Sequence, residues 1–127
     1  MTYKVLIVDD SKLARMAVRK ALSVLQPGWT SVDAGNAEQA LSSLTESAPD
    51  IALLDFNMPG RNGLDLAADF RKLRPGMPVA VVSANRQQEI VNRAQAVGAT
   101  FLGKPLTDEQ LGLFFTAAAR ELDKAGT

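Results

Sequence analysis

The chain has 127 residues, 46% of them hydrophobic, which is one ordinary domain with a core of its own. Lys plus Arg and Asp plus Glu number 14 each, so the chain lacks the basic footprint of a nucleic-acid binder. Neither cysteine nor histidine occurs, which excludes a disulfide framework, a thiolate zinc site, a cysteine nucleophile, a histidine general base and a phosphohistidine made on this chain.

Strand-like and helix-like segments alternate from the start. Residues 3–8 form a Val/Leu/Ile-rich run expected to be a buried strand. Residues 12–25 read as a helix with Ser11 as N-cap; Ala14, Ala17, Val18, Ala21 and Leu25 share a stripe that excludes Arg15 and Arg19. Pro27-Gly28 ends that unit, and 29–32 is a short second strand opened by Trp29, a packing residue. A helix over 36–45 opens with Asn36 and Gln39 in capping-box spacing. Residues 51–54 are an unbroken apolar strand that runs into Asp55. A helix at 64–73, a strand at 79–82 and a helix at 86–97 follow, the last closed by Gly98. The fifth strand is 99–102. The fifth helix, 107–122, opens with Thr107 and Gln110 in capping-box spacing and carries Leu111, Phe114, Phe115, Ala118 and Leu122 on one stripe.

Continuous apolar strands alternating with helices predict an α/β fold: a doubly wound, five-stranded parallel sheet with helices on both faces, a (βα)5 unit. One domain is expected over 1–123, with a C-terminal tail at 124–127. The first ten residues carry no signal-peptide pattern, and no apolar run approaches membrane-spanning length. The expectation is a cytoplasmic protein with no membrane partner.

In a parallel sheet every strand ends at one edge, and ligands bind there where strand order reverses. Asp9 and Asp10 follow the first strand, Asp55 ends the third, Ser83 follows the fourth and Lys104 follows the fifth. Topology therefore gathers three carboxylates, a hydroxyl and an ammonium. Three carboxylates in one crevice repel, and a divalent cation resolves the conflict. With oxygen ligands only, a hard cation is expected, and Mg²⁺ suits carboxylates together with phosphoryl oxygens. An Asp carboxylate is a competent nucleophile towards phosphorus, and phosphoryl transfer needs positioning and charge neutralisation rather than a histidine. Asp33 reads as a turn or cap on an edge strand, and Gly60 and Gly63 as turn residues.

The segments VDDS at 8–11, LLDFNMPGRNGLDL at 53–66, VVSAN at 81–85 and FLGKPL at 101–106 resemble, in order and at matching strand ends, the motifs of response-regulator receiver domains. The resemblance implies a flavodoxin-like strand order 2-1-3-4-5. It implies Asp55 as phosphoacceptor, Ser83 and Lys104 on the phosphoryl oxygens, and Mg²⁺ held by Asp10 and Asp55 directly, by Asp9 through water and by the Asn57 backbone carbonyl. Lys104-Pro105 matches a bond that is cis in the family. Ser83 stands where Thr is common, and Phe101 where many members have Tyr or Phe. The implied phosphodonor is a sensor histidine kinase or histidine phosphotransfer protein, docking near Lys12, Leu13, Arg15 and Leu106. No basic recognition helix follows residue 122, so the expected output is a protein partner rather than DNA. The main rival is an aspartyl-phosphate phosphatase of the haloacid-dehalogenase type, which resembles a strand ending in Asp-x-Asp; here the second position is Asn57. A nucleotide-binding module lacks its Gly-rich loop after the first strand.

Overall fold

A computed structural model describes residues 1–125. The elements are β1 (Lys4–Val8), α1 (Lys12–Leu25), β2 (Thr30–Ala34), α2 (Ala37–Glu46), β3 (Ile51–Asp55), α3 (Gly63–Leu73), β4 (Val79–Ser83), α4 (Gln88–Ala96), β5 (Thr100–Gly103) and α5 (Asp108–Ala125). The five strands form one sheet in the order β2-β1-β3-β4-β5, every pairing parallel. No helix among the described residues is long and apolar enough to cross a membrane.

The pleat divides the strand residues between two cores. Leu6 and Val8, Ala52 and Leu54, and Val79 and Val81 face one core, which α2, α3 and α4 close with Ala40, Leu44, Leu66, Phe70 and Ala94. Val5 and Ile7, Ile51 and Leu53, and Ala80 and Val82 face the other, closed by Leu22 of α1 and by Leu111, Phe114, Phe115 and Ala118 of α5. Both faces are covered, which is why β3 and β4 are apolar at successive positions and not alternately. Each fully buried Leu, Ile or Phe side chain contributes about 1.5–3 kcal/mol.

Caps set most helix starts as the spacing predicts. Ser11 Oγ accepts from Ala14 N at 3.2 Å and Asn36 Oδ1 accepts from Gln39 N at 2.8 Å. Thr107 Oγ1 accepts from Gln110 N at 3.1 Å, while Gln110 Oε1 accepts from Thr107 N at 2.9 Å, a complete capping box.

The differences from expectation have local causes. β2 runs to Ala34 because Asp33 and Ala34 pair with Ile7 and Val8. Asp33 is thus a strand residue, not a turn, and its charge is met by Arg15 and Arg19 of α1. Helix α4 begins at Gln88 and not at 86, because side chains compete for the backbone ahead of it. Asn85 N donates to Ser83 Oγ at 3.0 Å and Gln87 N donates to Asn85 Oδ1 at 3.0 Å. On α1, Val18, Ala21 and Leu25 of the expected stripe pack on the core, but Ala17 is exposed and the deeply buried residue is Leu22. Helix α5 continues to Ala125, with Asp123 accepting a hydrogen bond from Tyr3. Lys124 and Ala125 are therefore helical where a tail was expected; positions 126 and 127 of that tail lie outside the described residues. Trp29 does pack at the foot of the sheet, edge-on to Tyr3 at 5.3 Å and to Phe115 at 5.9 Å.

Gly63 is not a turn residue. It is the buried first residue of α3, and a Cβ there would stand 2.5 Å from the Asp55 carbonyl oxygen. Backbone cannot yield as a side-chain tip can. Gly63→Ala is expected to destabilise the protein by about 1–3 kcal/mol through overpacking. Gly76→Ala, where nothing lies within 4 Å, is expected to be neutral or slightly stabilising. Urea denaturation of the two variants checks this; equal stability would show that α3 does not press on the end of β3.

Candidate functional site

Strand parity builds the site. Asp55 continues the Ile51, Leu53 series and so leaves β3 towards the face covered by α1 and α5. Asp9 follows Val5 and Ile7 in the same parity, and Lys104 follows Leu102. All three line one cleft of about 670 Å³ beneath α1, together with Ala14, Ala84 and Leu106. Ser83 has the opposite parity: it follows Val79 and Val81 towards the α2–α4 core.

The loops that carry these residues are tied down at both ends. Asp9 N donates to Ala34 O at 3.1 Å, and Asp9 Oδ1 accepts from Ser11 N at 2.9 Å. Arg15 reaches back from α1 to the Asp9 carbonyl at 2.6 Å while pairing with Asp33 at 3.2 Å. One guanidinium thus pins the β1–α1 loop to the edge strand. On the other side, Lys104 N donates to Ser83 O at 2.9 Å and the Lys104 carbonyl accepts from Arg86 Nη2 at 2.9 Å. Gln110 Nε2 adds a bond to Gly103 O at 3.1 Å, and the Lys104-Pro105 peptide is cis, as the family resemblance implied.

Within this frame Asp9, Asp10 and Asp55 offer carboxylate oxygens that lie within 4.8 Å of one another. Asp55 is buried, Asp9 half-buried and Asp10 exposed. Lys104 Nζ stands 2.9 Å from Asp55 Oδ1. That oxygen is fully buried and has the ion pair alone, with no hydrogen bond of normal geometry. Burial pushes the Asp9 carboxyl above its ordinary range; the Ser11 amide opposes this, and the charge of Asp55 adds to the rise. One ammonium faces three carboxylates, and the donors are all oxygen. A hard divalent cation fits that set of three clustered carboxylates against a single ammonium.

Four of the six expected residues, Asp9, Asp10, Asp55 and Lys104, are therefore brought together. Ser83 is buried on the neighbouring strand, its hydroxyl oxygen accepting from Asn85 N. Asn57 lies two residues past Asp55 in an exposed loop. Arg15, Arg86 and Gly63 shape the site and were not anticipated in these roles. Arg15 and Arg19 stand four apart on α1 and so share a face, the signal that both could reach one partner, Asp33. Nothing local signals the reach of Arg86 to the Lys104 carbonyl.

The family model described as response regulator receiver domain matches residues 5–114. The glycerol metabolism activator of Pseudomonas putida is 36% identical over 98 residues, covering 76% of this chain and 44% of that protein. The chain thus spans less than half the length of that relative. Chemotaxis protein CheY of Thermotoga maritima is 35% identical over 107 residues, covering 83% of this chain and 88% of that protein. Among solved structures, chemotaxis protein CheY4 of Vibrio cholerae superposes with a TM-score of 0.83 at 27% identity, covering 93% of this chain and 99% of the other.

The raised pKa of Asp9 has a consequence for stability. A carboxyl whose folded pKa lies above its unfolded value of about 3.8 favours folding below that value, and the contribution is lost as pH rises through the folded pKa. In metal-free buffer Asp9→Asn should therefore melt higher than the unsubstituted protein at neutral pH, and the gain should vanish at acid pH. Asn keeps the acceptor that Ser11 N uses. Thermal melts in chelator across that range check it; a lower melting temperature at neutral pH would contradict it.

Proposed function

The chain belongs to the response regulator receiver domain family, and on that footing we propose that Asp55 accepts the phosphoryl group in a two-component phosphorelay. The observation that carries this is the buried Asp55 carboxylate, 2.9 Å from Lys104 Nζ and beside Asp9 and Asp10 at the open edge of the sheet. The Asp55 carboxylate attacks the phosphorus of a partner's phosphohistidine; the P–N bond breaks as the acyl phosphate O–P bond forms. Lys104 follows a phosphoryl oxygen in place of Asp55 Oδ1. The Ser83 hydroxyl donates to a second phosphoryl oxygen. Asp9, Asp10, Asp55 and the backbone carbonyl of Asn57 would hold Mg²⁺, which supplies charge neutralisation on the phosphoryl oxygens.

Receiver domains interact with sensor kinases and phosphotransfer proteins. For this chain the proposed donor surface is the start of α1 and the β5–α5 loop, at Lys12, Leu13 and Leu106. Leu13 is 77% exposed, unusual for a leucine one turn from a buried site. Arg15 drops out of that surface, because its guanidinium is engaged by Asp33 and the Asp9 carbonyl. The proposed compartment is the cytoplasm and the proposed output a protein partner. Phe101, half-buried against the α2–α4 core, shares its face with Ser83 and is the ring that responds when the hydroxyl moves. The phosphatase alternative gains no support: Asn57 occupies the position where its acid/base Asp would stand, and the relatives named above are regulators.

Asp55→Asn is expected to abolish labelling by acetyl phosphate while the fold persists, since the side chains are nearly isosteric. Leu13→Glu is expected to slow transfer from the cognate kinase several-fold and leave acetyl phosphate labelling unchanged. Stoichiometric labelling of Asp55→Asn would move the acceptor elsewhere. Equal loss with both donors in Leu13→Glu would mean damage to the site rather than to docking.

A further inference from the structure

Both backbone groups of Lys104 are tied to one short stretch of chain, 83–86. Its amide donates to Ser83 O at 2.9 Å, and its carbonyl accepts from Arg86 Nη2 at 2.9 Å. The stretch is itself ordered. Asn85 N donates to Ser83 Oγ at 3.0 Å, and Gln87 N donates to Asn85 Oδ1 at 3.0 Å, so the turn that presents Arg86 is fixed from Ser83 onwards. Ser83, Asn85, Arg86 and Lys104 thus close a ring of chain and hydrogen bonds. That ring contains both side chains proposed to hold the phosphoryl oxygens.

The seat of the guanidinium is specific. Ser83 and Gly103 are paired at the ends of β4 and β5. Arg86 lies over Gly103, on the side that a Cβ would occupy. A Cβ there would stand 2.5 Å from Arg86 Cζ, 2.7 Å from Nη2 and 2.8 Å from Nη1. Those distances put the Cβ position over the middle of the guanidinium plane, so the fork lies flat against the strand end, an approach that glycine permits. No carboxylate draws it there: among the described residues Arg86 enters no salt bridge. An exposed arginine ordinarily keeps its charged head in water, and this one spends it on a backbone carbonyl.

We propose that Arg86 is a positioning residue for phosphoryl transfer. It acts through Lys104, by holding that residue's backbone at a fixed place relative to Ser83, and Gly103 is the position that admits it. The inference rests on Asp55 as the acceptor and on Lys104 following a phosphoryl oxygen. The lysine side chain is long and flexible. With its backbone fixed, only side-chain rotations remain to be ordered as the ammonium passes from Asp55 Oδ1 to the phosphoryl oxygen. Gln110 Nε2 holds the neighbouring Gly103 carbonyl from α5, so loss of Arg86 loosens the segment and does not unfold it.

Initial rates of labelling by acetyl phosphate, measured against Mg²⁺ concentration, test the proposal. Arg86→Ala is expected to lower the rate at saturating Mg²⁺ roughly tenfold, short of the about hundredfold that a misplacement of about 1 Å can cost. The Mg²⁺ dependence and the melting temperature should stay nearly unchanged. Arg86→Lys keeps a donor and should recover part of the rate. In Gly103→Ala the new methyl drives out the guanidinium, a side-chain tip that can swing away. That variant should be as slow as Arg86→Ala, and the double variant no slower than either. Full-rate labelling of Arg86→Ala, or losses that multiply in the double variant, overturns the proposal. So does a fall in rate matched by falls in Mg²⁺ affinity and melting temperature, which would make Arg86 a structural residue only. Labelling of Asp55→Asn, by contrast, would overturn the acceptor assignment on which the proposal rests.

Discussion

A carboxylate buried at the end of β3, with two others within 4.8 Å and one ammonium opposite, is the constraint on which the rest of the structure turns. At separations of roughly 4–5 Å and an effective dielectric near 20, a pair of unit charges interacts by about 3–4 kcal/mol. Solvent screens the share of the exposed Asp10, and Lys104 offsets part of the charge of the buried Asp55. Domain stability is only about 5–15 kcal/mol, so the cluster is a standing strain on the metal-free fold. The surrounding bonds make sense as the means of holding it. Arg15 clamps the Asp9 loop to β2, Gly63 lets α3 close on the Asp55 carbonyl, and Arg86 with Gln110 fixes the segment that delivers Lys104. On the proposed reading, a divalent cation relieves that strain before a phosphoryl group arrives.

The pleat adds a second division. Asp9, Asp55 and Lys104 leave the sheet on the face of α1 and α5, whereas Ser83 and Phe101 belong to the face of α2, α3 and α4. On the reading proposed here, chemistry enters from one side and its consequence appears on the other. Ser83 sits at the last residue of β4, where the change of face costs only a rotation of one hydroxyl. Its oxygen accepts from Asn85 N, and the same hydroxyl can donate its hydrogen to a phosphoryl oxygen. On the proposed reading, one hydroxyl thus joins the acceptor to the β4–α4 segment.

Much of this was legible in the residues. The apolar runs of β1, β3 and β4 have no reading other than buried strands, and once they are parallel Asp9, Asp10, Asp55 and Lys104 must meet. What stayed hidden was held by partners distant in the chain. Asp33 looks like a turn residue until Arg15 and Arg19 are placed beside it. Gly63 looks like loop punctuation until α3 is packed on β3. The start of α4 was misplaced because Asn85 and Ser83 capture backbone amides that a helix would otherwise order, and no side chain caps Gln87. The edge of the buried face of α1 was hidden for the opposite reason: small alanines blur it, and Leu22 joins Val18, Ala21 and Leu25 on the core while Ala17 is exposed.

The central claim is that the carboxylate cluster is a divalent-cation site tied to the acceptor. Titration calorimetry with Mg²⁺ alone, on the unsubstituted protein and on Asp10→Ala, tests it most directly. Asp10 is exposed and its side chain takes no part in the hydrogen bonds that hold the loop, so the variant keeps its fold. The account predicts one Mg²⁺ per chain in the unsubstituted protein and a loss of affinity of at least about tenfold in Asp10→Ala. Equal affinity in the two proteins would contradict it.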